Sequence, residues 1–220
     1  MNNFVKIHEG KSKIVYAEKG IDDYVFLEFK GDVRSTKWPI VYDKKIADLR
    51  ALTSHRLFCH LRKAIPCIAQ TEMVDSHIIK IEKCEPLPLE WIPRYVAAGS
   101  VVARFGFTRG HRFKNPVLKI DYKAHDDDHL INDDLIIEMG LFDRQELEQA
   151  KILSIKIANE LKEVFALKGL DLWDFKIELG RLPNGGIMLI DEISFDGMRL
   201  KDAITGESFD KDIYRETGSL

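Results

Sequence analysis

Residues 174–202 read DFKIELGRLPNGGIMLIDEISFDGMRLKD, two strand-like runs separated by Pro183, Asn184, Gly185 and Gly186. That turn composition folds the second run back on the first. Alternation in DFKIELG sends Phe175, Ile177 and Leu179 to one face and Asp174, Lys176 and Glu178 to the other, because successive strand side chains point oppositely. The return run, Ile187 to Ile190, is apolar and ends on Asp191 and Glu192. A hairpin here brings Glu178 and Asp191 within reach of one divalent cation, and hard carboxylate oxygens suit Mg²⁺ bridging phosphates. Alternating charge on a half-exposed strand equally describes a solvated hairpin with a polar face.

Working outward from the hairpin, residues 143–168 carry Leu147, Ala150, Leu153, Ile157, Leu161, Val164 and Phe165 on one helical stripe, with Asp143 as N-cap and Gly169 as C-cap. Residues 111–133 read as irregular and charge-rich, and residues 200–220 as polar and peripheral. WIPRYVAAGSVVARFGF begins extended, turns at AAGS and enters a short helix at 101–105. EPLPLE, with two prolines one residue apart, reads as an extended connector and the domain boundary, because proline cannot donate to a central ladder. Upstream, FVKIHEG, KIVYAEKG and DYVFLEFKGD read as antiparallel neighbours punctuated by glycines. Helical spacing of Ile46, Leu49, Leu52, Leu57, Phe58 and Leu61 follows over 45–63, then the strand pair CIAQTEMVD and HIIKIEKC. This order places the domain boundary at EPLPLE, with domains at 1–85 and 86–220.

The 220 residues carry a net charge of −3, so no bulk electrostatic field points to nucleic acid or a membrane, and any anion site is local. Cys59, Cys67 and Cys84 have neither CxxC spacing nor an even count. They are expected as buried, reduced thiols of a cytoplasmic protein. No apolar run approaches the ~20 residues of a membrane span, and the N-terminus lacks a signal-peptide core. Of the seven histidines, His55 and His60 miss the i, i+4 ligand spacing, and HDDDH at 125–129 reads as a solvated loop before a cation site.

Two further segments carry phosphate chemistry. In EGKSKIVY, Gly10 lets a backbone approach a phosphate, and Lys11 and Lys13 share a face if a strand has begun there. A surface hairpin is the competing reading, since the Walker spacing is absent. In RYVAAGS, Arg94 offers a bidentate guanidinium and Ser100 a hydroxyl at the opening of a helix, with close helix packing as the alternative. Arg199, eight residues beyond Asp191, supplies a second guanidinium.

Taken in order, EGKSKIVY, RYVAAGS, DFKIELG, DEISFDGMRLKD and DKDIYRETG resemble the motifs of the phosphoribosylaminoimidazole-succinocarboxamide synthase (SAICAR synthetase) family, over about residues 6–214. The resemblance implies a two-lobed α+β fold with a smaller N-terminal antiparallel sheet covering ATP. It implies an ATP-dependent ligase joining carboxyaminoimidazole ribonucleotide to L-aspartate through an acyl phosphate, with Mg²⁺ and a homo-oligomeric assembly. Carried across, Gly10, Lys11 and Lys13 meet the nucleotide phosphates and the hinge at 80–85, with Lys80 and Glu82, meets adenine. Lys176 sits beside the nucleotide, and Glu178 and Asp191 hold Mg²⁺. Arg94, Ser100 and Arg199 hold the ribonucleotide 5′-phosphate, Asp196 lines the imidazole end, and Lys123 is a substrate-side lysine. Lys13, Lys176 and Asp196 are the implied catalytic residues. This chain departs from the family pattern at KKIADLR (44–50), at AIPC (64–67), at Asp128-His129 and at Ser194-Phe195-Asp196. The altered helix start and acidic loop keep open a relative ligating another amine or imidazole nucleotide, and the architecture shared with some inositol-phosphate kinases, with its lysine-plus-acid ATP site, keeps open a small-molecule kinase.

Overall fold

A computed structural model describes residues 3–34, 38–124, 128–210, 213, 214 and 218. The chain divides into two compact units, the first made of Met1–Glu85, Gly180–Asp196 and Lys211–Leu220, the second of Pro86–Leu179 and Gly197–Asp210. The second unit is thus interrupted, because the hairpin at the centre of the opening stretch returns to the first. A division into two contiguous segments does not have this interruption.

In the first unit, β1 (Phe4–Glu9), β2 (Lys13–Glu18) and β3 (Tyr24–Phe29) are consecutive antiparallel neighbours. A short ribbon, β4 (Asp32–Val33) with β5 (Val41–Tyr42), leads into α1 (Lys44–Arg62), and β6 (Thr71–Asp75) and β7 (Ile78–Glu82) complete a five-stranded sheet ordered β1-β2-β3-β7-β6. Asp43 caps α1 by accepting from Lys45 N. The buried stripe of α1 is Ala47, Arg50, Ala51, Ser54, Leu57, Phe58 and Leu61. Hydrophobic spacing had pointed instead to Leu49, which is 49% exposed. The first half of the helix is rotated so that Arg50, not Leu49, faces inward.

The second unit opens with β8 (Glu85–Val96), so EPLPLE is the first half of a long strand and not a connector. Its pairing with β9 begins at Leu89, which leaves Pro86 and Pro88 outside that ladder where a missing N–H costs no bond to β9. After α2 (Ser100–Phe105) comes β9 (Arg112–Lys123), twelve residues of strand where irregular chain was expected. Its register against β8 jumps from Arg94↔Val117 to Val96↔Arg112, and Pro116 falls inside the jump, so a bulge absorbs the proline. β10 (Asp128–Leu130), α3 (Asp133–Glu138) and α4 (Arg144–Ala166) follow. Asp143 and Glu146 close a capping box on α4. The C-cap is Leu167, with Gly169 two residues further on at φ +72°. β11 (Leu170–Phe175) then enters the sheet, and β12 (Ile177–Arg181) carries the chain back to the first unit.

There the Gly180–Arg181 end of β12 and β13 (Ile187–Ile190) form the predicted hairpin, closed by Leu182 N donating to Gly186 O at 2.8 Å with Gly185 at φ +84°. Gly180 is a close-approach position: a Cβ there would lie 2.2 Å from Cys84 Sγ. A last strand, β14 (Met198–Asp202), gives the second unit the order β10-β9-β8-β11-β14. The segment after it is not peripheral throughout. Asp210 is buried and accepts from Leu200 N at 2.7 Å, and Tyr214 is buried in the first unit with its hydroxyl on Pro39 O. Cys59 and Cys67 are exposed and Cys84 half-buried, against the expectation of buried thiols. No helix is long and apolar enough to cross a membrane among the described residues.

Candidate functional site

Chemistry-bearing side chains gather at distinct places within each unit. In the first, β13 is pinned by a parallel bridge, with Ala69 N donating to Leu189 O at 3.1 Å and Leu189 N to Cys67 O at 2.9 Å. The chain leaves that anchor through Asp191, whose φ of +70° makes it the one non-glycine in left-handed backbone among the described residues. Such a conformation is uncommon outside glycine and is concentrated at functional positions. It also ends strand alternation, so Asp191 and Glu192 both meet Lys13. Lys13 Nζ lies 2.8 Å from Asp191 Oδ1 and 3.1 Å from Glu192 Oε1. Ser12 Oγ donates to Glu192 Oε1 at 2.5 Å. Burial would raise the Glu192 carboxyl, but the Lys13 charge and the hydrogen bonds from Ser12 and Lys13 outweigh it and hold the group at about 2.

Lys11 and Lys13 do not share a face. Lys13 opens β2 and is buried, whereas Lys11 is exposed on the preceding turn. Gly10 N closes that turn by donating to Lys13 O at 2.9 Å, and a Cβ on Gly10 would meet only ordinary contacts. Lys80 and Glu82 lie inside β7 and not in a connector. Lys80 Nζ stands 3.9 Å from the Tyr24 ring centroid and 3.5 Å from Glu72, and Glu82 accepts from Gln70 N at 3.1 Å. Asp196, in a single 3₁₀ turn (Phe195–Gly197), pairs with the buried guanidinium of Arg50.

In the second unit three neighbouring strands place charged residues in one row, since Asp174 of β11 registers with Arg94 of β8 on one side and Arg199 of β14 on the other. Arg94 Nη1 donates to Asp174 Oδ2 at 2.6 Å and to Ala98 O at 2.6 Å, and Arg199 Nη1 donates to Asp174 Oδ1 at 2.9 Å and Oδ2 at 3.1 Å. Arg94 is held below the ordinary arginine value, first by burial and then, after partial relief from Asp174, by Arg199. Gly99 precedes α2 at φ +57°, and a Cβ there would lie 2.8 Å from Arg199 Nη2. Ser100 is the first residue of α2, so the RYVAAGS segment supplies Arg94 itself and brings Gly99 against Arg199, with Ser100 next in the chain.

A second cluster in this unit sits where Lys176 separates β11 from β12. Lys176 Nζ donates to Glu90 Oε1 at 2.6 Å and to Glu178 Oε1 at 3.5 Å, and Lys123 Nζ to Glu178 Oε2 at 2.8 Å. The break at Lys176 means that Asp174, Phe175, Ile177, Glu178 and Leu179 are all buried, in place of one polar and one apolar face. Sequence reasoning assigned neither Glu192, Ser12 and Arg50 in the first unit nor Asp174 and Glu90 in the second to a site. Glu192 adjoins a predicted ligand, and Arg50 sits i, i+4 from Ser54 among small helix residues, which are the signals available for them. The HDDDH reading falls largely on 125–127, outside the described residues. Among the described residues no three His, Cys, Asp or Glu side chains cluster as a metal cage.

A family model described as SAICAR synthetase matches residues 6–219. The phosphoribosylaminoimidazole-succinocarboxamide synthase of Methanocaldococcus jannaschii is 34% identical over 214 residues, 96% of this chain and 87% of that protein. The synthase of Clostridium beijerinckii is 38% identical over 221 residues, 98% of this chain and 92% of that protein. Among solved structures, the synthase of Ehrlichia chaffeensis superposes with a TM-score of 0.90 at 32% identity, covering 98% of this chain and 92% of that one. A SAICAR synthetase in complex with ADP superposes equally well, with a TM-score of 0.90 at 30% identity over 97% of this chain and 91% of that one. The α+β architecture, the ordered motifs and these matches agree, and the chain belongs to the SAICAR synthetase family.

Proposed function

We propose that this protein is the ATP-dependent ligase of purine biosynthesis that joins carboxyaminoimidazole ribonucleotide to L-aspartate, forming the succinocarboxamide, ADP and phosphate. The observation that carries the reading is the family match over residues 6–219. An unactivated carboxylate does not acylate an amine, so ATP first converts the imidazole carboxylate to an acyl phosphate and the aspartate amine then displaces phosphate. No side chain of the protein becomes covalently linked to substrate in this scheme, and catalysis is positioning and electrostatics.

The residue roles are supported by each cluster separately. Asp191 and Glu192, two carboxylates beside one ammonium, offer hard oxygen donors, and Glu192 Oε2 is buried without a partner among the described residues. They suit Mg²⁺, which uses one or two protein carboxylates and takes its remaining ligands from phosphates and water, and Glu178 in the second unit is read separately as a carboxylate of the same kind. Bound there, Mg²⁺ would supply charge neutralisation on the phosphates. In the first unit Lys13 holds an ammonium for the γ-phosphate, Lys11 and Gly10 flank it from the turn, and Lys80 and Glu82 are read toward the base; in the second unit Lys176 is read as a nucleotide-side lysine. Arg94 and Arg199 converge on Asp174 and, with Ser100, suit a phosphate monoester, whose oxygens match a guanidinium fork. Lys123 is read as a substrate-side lysine of the second unit, and Asp196, in the first, as lining the imidazole end.

The test is an assay with carboxyaminoimidazole ribonucleotide, L-aspartate and Mg-ATP that follows product absorbance and inorganic phosphate together. Amide formation with stoichiometric phosphate release is expected. Preference for another amine would replace aspartate in the reading, and retention of the γ-phosphate on an organic product would replace the ligase by a kinase.

A further inference from the structure

Arg50 is 2% exposed, yet it carries a charge that the family-derived roles leave without a task. Its guanidinium makes three contacts inside the first unit: Nη1 with Lys30 O, Nη2 with Asp32 O at 2.6 Å, and Nη2 with Asp196 Oδ2. One helical turn later on the same face of α1, Ser54 Oγ accepts from Ile193 N at 3.2 Å. α1 therefore grips the segment between the acidic hairpin and Asp196 at two points, a backbone contact through Ser54 and a side-chain contact through Arg50. The first two acceptors lie on either side of Gly31, where the chain is pressed against the α1 cap: Asp43 N donates to Gly31 O at 3.1 Å, and a Cβ on Gly31 would come within 2.4 Å of Asp43 O. The backbone that receives Arg50 is thus itself fixed.

We propose that Arg50 is a positioning residue for the reaction, holding the Asp196 carboxylate in its working rotamer by tying it to the rigid Lys30–Asp32 carbonyls. The proposal rests on the reading of Asp196 as a substrate-facing group. A planar guanidinium can span two carbonyls and a carboxylate at once, whereas an ammonium cannot reproduce that fork. A buried arginine acting only on the fold would affect stability and leave substrate discrimination alone. A positioning arginine moves the kinetics of the substrate that Asp196 meets.

The experiment is a double-mutant cycle with Arg50→Lys and Asp196→Asn, measuring kcat and KM for the ribonucleotide and for ATP, with a thermal melt of each variant. Arg50→Lys is expected to lower kcat/KM for the ribonucleotide by ~10–100-fold, the scale of one charge-assisted hydrogen bond, with KM for ATP unchanged. Adding Asp196→Asn is expected to cost no more than Asp196→Asn alone, because both changes remove one interaction. Wild-type kcat/KM in Arg50→Lys, or additive losses in the double variant, overturns the proposal while leaving the Asp196 reading in place. Wild-type activity in Asp196→Asn overturns that reading, and this inference with it. Should Arg50→Lys not fold, Arg50→Gln, which keeps a donor for the carbonyls and has no charge for Asp196, supports the same comparison.

Discussion

The two units handle charge in opposite ways. In the first, Asp191 and Glu192 share Lys13; in the second, Arg94 and Arg199 share Asp174. Each trio is largely removed from water, where like charges repel strongly and an opposite charge is needed between them. Two carboxylates around an ammonium favour a cation as the next arrival, and two guanidiniums around a carboxylate favour an anion. A ligase acting on Mg-ATP and a phosphorylated nucleoside needs one site of each kind. Construction differs too. The acid-rich trio depends on a left-handed residue after a pinned strand, whereas the arginine-rich trio depends on the register of three strands.

The largest break in this comparison is expected from Asp174→Asn. Removing the shared carboxylate charge leaves two buried guanidiniums facing one another, and losing one partner of a buried ion pair costs about 3–5 kcal/mol. Urea unfolding should show that loss directly in the midpoint at unchanged slope, and a midpoint within error of wild type would mean that the row is not a structural ion pair. The corresponding change in the acid-rich trio, Asp191→Asn, is expected to act on chemistry instead, reducing turnover at least ~100-fold through loss of one major electrostatic stabiliser. Steady-state kinetics across a Mg²⁺ titration measure it, and near-wild-type turnover would remove Asp191 from metal binding. Next in size, Arg199→Ala is expected to raise KM for the ribonucleotide ~10-fold or more, the scale of a charged hydrogen bond. An unchanged KM would take Arg199 out of the phosphate pocket.

How much of this contrast the sequence could carry follows from how local each determinant is. Caps are local: Asp143 as the α4 N-cap, and the Pro-Asn-Gly-Gly turn, are fixed by a few neighbouring residues and were legible. Arg94 and Arg199 were legible as two guanidiniums for one pocket, but their shared partner Asp174 was not, because its place depends on a register shift between Leu172 and Asp174 in β11. Glu192 escaped assignment because alternation fails at Asp191, so neighbouring faces no longer follow a period of two. Periodicity misplaced the inner face of α1 for a similar reason. A stripe of leucines points Leu49 inward, and the carbonyls of Lys30 and Asp32 with the Asp196 carboxylate, all remote in sequence, explain why Arg50 is inside. The strand at β9 was hidden by its density of charge, which read as irregular chain, and its Pro116 is accommodated only by a bulge opposite β8.

The finest distinction between the two trios is their response to acid. Glu192 sits at about 2 against an ordinary 4.5, because its contacts with Lys13 and Ser12 outweigh the burial that would raise it. A carboxyl depressed on folding contributes stability that is fully present above the unfolded value and is lost as pH falls through the folded one. The window is therefore from about 4.5 down to about 2, where the unfolded chain takes up a proton that the folded chain refuses. Glu192→Gln removes that proton difference. Its urea midpoint is expected to decline less steeply than wild type as pH falls below 4.5, with the two curves running parallel above it. Identical slopes through the acid window would show that the Lys13, Ser12 and Glu192 contacts do not hold the carboxylate ionised, and the acid-rich trio would then lose the charge surplus that sets it against its arginine-rich counterpart.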